Sequence, residues 1–510
     1  MDTIKKIWNE KPLTLILWLA VLFRLLAVFF SKGFGMHDDH FLVIEASQSW
    51  VDGYDYNNWL PGSTKDASPT GHSFFYVGFH YLFLYLLDFL GIHNPQGKMF
   101  LVRLIHAAYS LITVILGYRI ALKIHNRRSA RLAGLLLALY WLMPFLSVRN
   151  LVEVVCVPPM MYALWLIIKN EHKTNNLKYF FWAGFFLGLA FSIRYQTLIF
   201  TGGVGLALLL QQKWKETLFT ALGTLLSIFL VQGIVDLFIW GYPFGELQAY
   251  ILYNLEHAYD YNVIAWYSYI LLILGLLLPP VCFFIFFGFL REWRKNLLLF
   301  LPSALFLIFH SAFPNKQERF ILPIIPFIIV LGIVGWLKFY DHSTFWQKHR
   351  KLHLVSWSFF WVINLSMLLI VSTMYSKKAR VESMTYLSKY DNIGFILTEN
   401  TNKDDTKMIP RFYLGEWVKE HKITKQIPIE WHAGNGHLSG PGAASFVLFF
   451  EKDSLDKRVQ NLREEMPGLV FEEKIEPGFV DKVMHWLNPV NANNVIYIYR
   501  NKGKIPKKKP

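Results

Sequence analysis

Long apolar runs alternate with short charged loops over the first three quarters of this chain. The runs fall at roughly 13–30, 99–122, 131–147, 152–168, 178–193, 198–211, 216–239, 266–290, 297–311, 320–337 and 354–374. Each is continuous rather than alternating, and most approach the 20 or so residues that cross about 30 Å of hydrocarbon as a helix. The pattern predicts a polytopic α-helical membrane protein of about eleven spans, not a barrel. The first run carries Arg24 and no small-residue cleavage site, so it reads as a retained helix rather than a removed leader. Residues 74–92, FFYVGFHYLFLYLLDFLGI, are also apolar, but a span there breaks the alternation of the loops that follow. Their Gly78, His80 and Asp88 among aromatics fit an interfacial or re-entrant helix.

The loops sort by sign. Lys5, Lys6 and Lys11, then 123–131 (KIHNRRSAR), 169–178, 213–215, 291–295 and 347–351 are basic and are expected on the cytoplasmic side. The other set then faces outward: MHDDH at 36–40, SVRNLVE at 147–153, the region of Arg194, 236–256, and FPNKQERF at 313–320. After residue 375 no run is long enough to span. NIGFILTEN, ASFVLFFEK and NNVIYIYRN read as short strands, and SLDKRVQNLREEM as an amphipathic helix. The expected layout is a membrane domain over 1–375, with a first outer loop at 31–98, and a small α/β domain over 376–510 on the outer side.

Composition agrees: 54% of the 510 residues are hydrophobic and mean hydropathy is +0.31. The formal charge of +15 resides in the basic loops and a KIPKKKP tail, which argues for membrane lipids rather than nucleic acid as partner. Cys156 and Cys282 both lie in apolar segments and read as core. The chain has no HExxH, paired-cysteine metal spacing, Walker loop or GxSxG elbow, which argues against zincins, ATP-driven pumps and serine hydrolases.

Every motif with chemical potential lies on the outward set. Asp38 and Asp39 sit at the lip of the first span, where a carboxylate can act as a general base or hold a divalent metal. Trp50, Tyr54, Tyr56 and Trp59 follow among Asp, Asn and Gly; such rings can pack on a sugar or form an interfacial belt. Arg149 and Glu153 are four apart and would pair on one helix face, beside Asn150. Arg194 follows an apolar run and can snorkel or bind a phosphate in bidentate fashion. Asp236 lies within an apolar run and calls for a cavity or a partner. Lys316, Glu318 and Arg319 crowd a span mouth, where two cations can neutralise a lipid phosphate or anchor to headgroups.

Together these pieces resemble the GT-C glycosyltransferases, and more closely the Alg9/PIG-B-type mannosyltransferases of glycosyltransferase family 22. Met36-His37-Asp38-Asp39-His40-Phe41 with Glu45 keeps the spacing of that family's His-Pro-Asp-Glu-x-Phe motif and following Glu, differing at the first two positions. Arg149, Asn150 and Glu153 match its Arg-x-x-Asn-x-x-Glu segment loosely. Arg194-Tyr195-Gln196-Thr197 stands for Arg-Pro-Thr without the Pro, and Asp236, Trp240-Gly241 and Tyr253-Asn254 stand for Asp-x-x-x-Tyr-Gly and Tyr-Asn. Asn315-Lys316-Gln317-Glu318-Arg319-Phe320, then Pro323 and Pro326, is the most specific match. The resemblance covers about residues 1–340. It implies a polyprenyl- or dolichyl-phosphate sugar donor, a glycan or glycolipid acceptor on the non-cytoplasmic face, and inverting transfer with the first-loop Asp as base. Lys316, Arg319 and Arg194 would hold the leaving phosphate. Asp39 and Glu45 would orient the acceptor or a divalent ion such as Mg or Mn, since family members differ in metal need. The C-terminal domain suggests a bacterial inner-membrane enzyme working on the periplasmic side, the alternative being the lumenal face of the ER. The rival classes are a transporter or flippase of lipid-linked sugars, expected to show repeated halves and charges along several spans, and a non-catalytic assembly subunit.

Overall fold

A computed structural model describes residues 2–64, 67–173, 176–260, 263–440, 442–488, 495–504 and 507–508. Residues 505–506 and 509–510 of the basic tail, 65–66 of the aromatic loop, 174–175 of a basic loop and 493–494, the first two residues of the last expected strand, lie outside them.

Among the described residues, six helices are long and apolar enough to cross a membrane: Pro12–Phe30, Pro95–Ile124, Val152–Asn170, Trp214–Trp240, Glu318–His342 and Arg350–Ser372. Five shorter apolar helices accompany them: Phe74–Phe89, Leu177–Ile193, Thr197–Leu210, Val281–Arg291 and Leu297–Ala312. Two expected spans are broken. The run at 131–147 is a helix ending at Leu139, an extended Tyr140, and a short helix Met143–Ser147. The break is stable because Asn364 serves both sides of it, accepting from Trp141 N–H (2.9 Å) and donating to Leu139 O (2.8 Å). Freed backbone groups at membrane depth need such partners. The run at 266–290 divides into Ser268–Leu276 and Val281–Arg291 at Pro279 and Pro280, since proline supplies no N–H to continue a helix.

The charge inside the first helix is equally accounted for. Arg24 is buried; its Nε donates to Ser110 Oγ (2.7 Å) and its terminal nitrogens to Ala138 O (3.3 Å) and Leu137 O (3.4 Å), carbonyls freed where helix Arg127–Leu139 ends. Close crossings use glycine. A Cβ on Gly184 would lie 1.9 Å from Thr220 O, and one on Gly223 2.0 Å from Phe181 O. Helices Leu177–Ile193 and Trp214–Ile228 thus touch backbone to backbone, as small residues allow in lipid.

The chain divides into two compact units. One comprises Met1–Phe29, Asn57–Phe79 and Val102–Thr373; the other comprises Phe30–Tyr56, His80–Leu101 and Met374–Pro510. The second is built on a five-stranded sheet. With β1 Phe395–Asn400, β2 Lys419–Thr424, β3 Phe446–Phe450, β4 Leu469–Ile475 and β5 Ile496–Asn501, the order is β2-β1-β3-β5-β4. β1 runs parallel to β2 and β3, and β5 antiparallel to β3 and β4. Leu397, Val447 and Phe449 pack with Val459 and Leu462 of helix Leu455–Glu465. A buried ion pair, Arg458 Nη1 to Glu399 Oε2 at 2.8 Å, ties that helix to β1. The three apolar strands and the helix fall where the sequence pattern puts them. The unanticipated β2 and β4 are the mixed-polarity edge strands.

Candidate active site

Within the larger unit, three separated segments meet on one buried carboxylate. Glu153 stands in the first turn, Val152–Val155, of the Val152–Asn170 helix, and its side chain is wholly buried. Arg194, in an extended conformation just past Ile193, brings Nη1 to 2.9 Å from Glu153 Oε1. Arg319, in the 3-10 turn that opens at Glu318, brings Nε to 3.5 Å from the same oxygen and donates to Gln317 Oε1 at 2.9 Å. Phe320 lies under both guanidinium groups, 5.0 Å from Arg194 and 5.5 Å from Arg319. Two cations thus share one anion, and Arg194 Nε and Nη2 are buried with no hydrogen-bond partner among the described residues. Buried guanidinium donors left open are suited to a second, external anion.

The other expected members of this group are distributed around it. Arg149 precedes the Glu153 helix in an irregular turn, so the one-face helical pairing expected of the two is not the geometry found. Its guanidinium lies 4.4 Å from the Phe145 ring. Asn150 is buried, and its carbonyl accepts from Tyr76 OH at 3.1 Å. Lys316 is buried and donates to Phe313 O at 2.6 Å, which caps the preceding helix, while Glu318 is exposed. Tyr253 stacks on His257 at 4.3 Å and Asn254 donates to Tyr250 O at 2.8 Å, both contacts internal to one stretch of helix. Tyr250, one turn earlier, is the tyrosine whose surroundings include Arg194, Glu153 and Arg319; burial above all raises its pKa.

Asp236 does find a partner, in a second network that pattern reading missed. Its Oδ1 accepts from Gln232 Nε2 (2.9 Å) and its Oδ2 from Glu246 N–H (3.0 Å) at the start of helix Gly245–Glu256. Glu246 Oε2 then accepts three consecutive backbone N–H groups, from Thr70 (3.1 Å), Gly71 (2.7 Å) and His72 (2.9 Å), and its Oε1 accepts Trp240 Nε1 (2.9 Å). Burial pushes this carboxyl up to about 7 despite those donors. Glu246 is the pin that gives the loop before Phe74 its shape. No periodicity or motif marks it; only its place at a helix start hints at a capping role.

The acids of the first loop belong to the smaller unit. Asp39 is buried and occupied: Oδ2 accepts Gly35 N–H (3.0 Å) and Oδ1 accepts Met36 N–H (2.9 Å). Asp38 is partly exposed. A π turn, His40–Glu45, follows. It buries His40 between Phe34 (4.6 Å) and Tyr413 (5.3 Å), with Nε2 3.4 Å from Glu45 Oε1. Glu45 Oε1 also accepts Phe412 N–H at 3.1 Å, so the acid-bearing turn is held by the C-terminal segment. Asp39 and Glu45 are therefore engaged by N–H donors, and the described residues contain no group of three or more His, Cys, Asp or Glu arranged for a metal ion. Engaged in this way, the two carboxylates do not present the donor set of a Mg or Mn site, the option open beside orienting the acceptor.

The aromatic loop separates into parts. Trp59 is buried on His72 (4.4 Å) and Trp50 donates to Asp55 (3.0 Å). Tyr56 stacks on Trp417 at 5.5 Å, with Tyr54 at 6.1 Å from the same ring. Trp417 Nε1 donates to Asp52 Oδ2 at 2.7 Å beside a polar cavity of about 230 Å³. Gln48, Asp52, Asp88, Lys98, Arg411 and Trp417 line it. A half-buried ring edged by carboxylates and amides is an arrangement that packs and hydrogen-bonds sugars. Trp417 lies beyond the region of family resemblance, which is why the sequence pattern did not single it out.

The family model of Alg9-like mannosyltransferases matches residues 15–412. No curated protein matches the chain by sequence. Among solved structures, ArnT from Cupriavidus metallidurans bound to undecaprenyl phosphate is similar at 11% identity and a TM-score of 0.61, over 97% of this chain and 99% of that one. The oligosaccharyltransferase of Archaeoglobus fulgidus with Zn and sulfate aligns at 14% identity and 0.52, over 86% and 68%. AglB of the same organism, in complex with an inhibitory peptide and a dolichol-phosphate, aligns at 11% and 0.51, over 98% and 75%. At these identities the likeness speaks to the fold, which is GT-C. With the family model spanning most of its length, the chain belongs to the Alg9-like mannosyltransferase family and is an integral membrane glycosyltransferase that uses a lipid-linked sugar.

Proposed function

We propose that the enzyme transfers a hexose, mannose or a close relative, from a polyprenyl- or dolichyl-phosphate to a hydroxyl of a glycan or glycolipid on the non-cytoplasmic face, with inversion. The observation that carries this reading is the pair of arginines on Glu153 with Arg194 donors unfilled. Structural neighbours solved with undecaprenyl phosphate and with a dolichol-phosphate support a lipid phosphate as the anion. Asp38 takes the proton of the acceptor hydroxyl as its oxygen bonds to the anomeric carbon. The bond from that carbon to the phosphate oxygen breaks, and the lipid phosphate leaves with the electron pair and its charge held by Arg194 and Arg319. Asp39, held by Gly35 and Met36, positions Asp38 rather than sharing its task. One carboxylate is sufficient because a lipid phosphate, unlike a sugar hydroxyl, leaves without a proton donor.

The acceptor sugar is assigned to the cleft at Trp417. The test is an assay of purified enzyme in detergent with polyprenyl-phosphate sugar and a glycolipid acceptor. Transfer without nucleotide sugar or ATP is the expected result; a strict need for a nucleotide sugar would sink the proposal. In the same assay Trp417→Ala is expected to raise the acceptor KM about tenfold, the loss of roughly 1.4 kcal/mol of ring contact. The donor KM should stay unchanged, and Trp417→Phe should recover most of the loss. Equal effects on both substrates would remove the cleft from acceptor binding.

A further inference from the structure

Among the described residues, the nine-residue helix Phe479–Leu487, FVDKVMHWL, has no fully buried side chain. At 100° per residue, Phe479, Val480, Val483, Met484, Trp486 and Leu487 fall on one arc of the helix, and Asp481, Lys482 and His485 on the other. Most of the apolar arc faces outward: Phe479 is 73% exposed, Trp486 78% and Leu487 65%, while Val480 and Val483 are half-buried. A domain made only to stay in water would not present two aromatics and a leucine together.

The helix is anchored at a particular place. A Cβ on Gly478, its N-cap, would lie 2.8 Å from Tyr375 O. Tyr375 comes three residues after the last span ends at Ser372, so it lies within about 11 Å of that helix end. The first span reaches the same point. Ser376 N–H donates to Lys32 O (3.1 Å) and Ser31 Oγ to Met374 O (3.2 Å), and the first span ends at Phe30. The helix therefore starts beside the segments that follow two helices long and apolar enough to cross a membrane. Lys32, Lys377 and Lys378 are at that exit, and Lys482 is on the polar arc.

We infer that Phe479–Leu487 is an interfacial helix, lying in the lipid leaflet that the first and last spans enter and pinning the C-terminal domain to the headgroup region. Helices of this kind sink an apolar face about 5–10 Å into the boundary between headgroups and chains. Tryptophan is enriched there, and lysines on the polar side meet lipid phosphates.

The test uses the full-length protein in nanodiscs of phosphatidylethanolamine and phosphatidylglycerol, with Cys156 and Cys282 replaced by Ala. A spin label is placed through Phe479→Cys, Lys482→Cys, Trp486→Cys or Leu487→Cys, all positions outside the folded core. Power saturation should read oxygen-rich, nickel-poor surroundings at 479, 486 and 487 and the reverse at 482. Water-like values at all four overturn the inference. So does shielding from both reagents, or spin–spin coupling between copies, which would mean that protein covers the face. A lipid-like reading that appears only after polyprenyl phosphate is added would assign the face to the substrate chain and overturn it as well.

Discussion

Asp38→Asn is expected to lower sugar transfer by about 10²–10⁴-fold, the usual contribution of a positioned general base. The substitution keeps the shape of the side chain and removes its ability to take a proton. Asp38 is part exposed, so the folded protein should retain its melting temperature and elution profile. Asp39→Asn is the informative control. Both Asp39 oxygens accept backbone N–H groups, and an amide must turn its NH2 toward one of them. A donor facing a donor in a buried turn costs about 1–3 kcal/mol. This variant should therefore melt earlier and lose activity together with the turn that positions Asp38. A near-normal rate in Asp38→Asn, measured with saturating acceptor, would refute the assignment.

Arg194→Ala should lower kcat by about 10²–10³, as removal of one preorganised donor to developing charge does elsewhere. Arg194→Lys should not restore it, because an ammonium cannot replace a guanidinium that pairs with Glu153 through Nη1 and leaves Nε and Nη2 open. Binding supplies a second readout. Undecaprenyl phosphate should raise the melting temperature of the unsubstituted enzyme and leave that of Arg194→Ala unmoved. An Arg194→Ala variant that still gains the full thermal shift would place the lipid phosphate elsewhere.

Much of the membrane half was legible because lipid imposes a strict rule. Backbone groups must pair within a helix, so spans appear as long apolar runs. The rule failed where a tertiary partner repaired a broken helix. Asn364 lies about 220 residues from Tyr140, and no local pattern foretells that it will hold both ends of that break. The same distinction holds in the site. Arg194, Arg319 and Glu153 stood out as charges at span mouths, and the structure brings them together. The expected Arg149–Glu153 helix face did not form, because the helix begins only at Val152. Glu246 and Trp417 escaped notice for a common reason. Their meaning comes from residues 174–176 and 365 positions away, three backbone N–H groups in one case and Asp52 in the other. Edge strands β2 and β4 alternate polar and apolar residues too weakly to announce themselves.

The bond from Phe412 N–H to Glu45 spans 367 residues and bears on how the enzyme is made. A ribosome adding roughly 5–20 residues per second delivers Phe412 and Tyr413 about 20–70 s after Glu45 and His40. During that interval every span up to Ser372 can enter the membrane, while the acid-bearing turn lacks the groups that hold it. The turn is then completed at the end of synthesis rather than with membrane insertion. A nascent chain stalled near residue 375 would carry all the long apolar helices and lack the two residues that hold the His40–Glu45 turn.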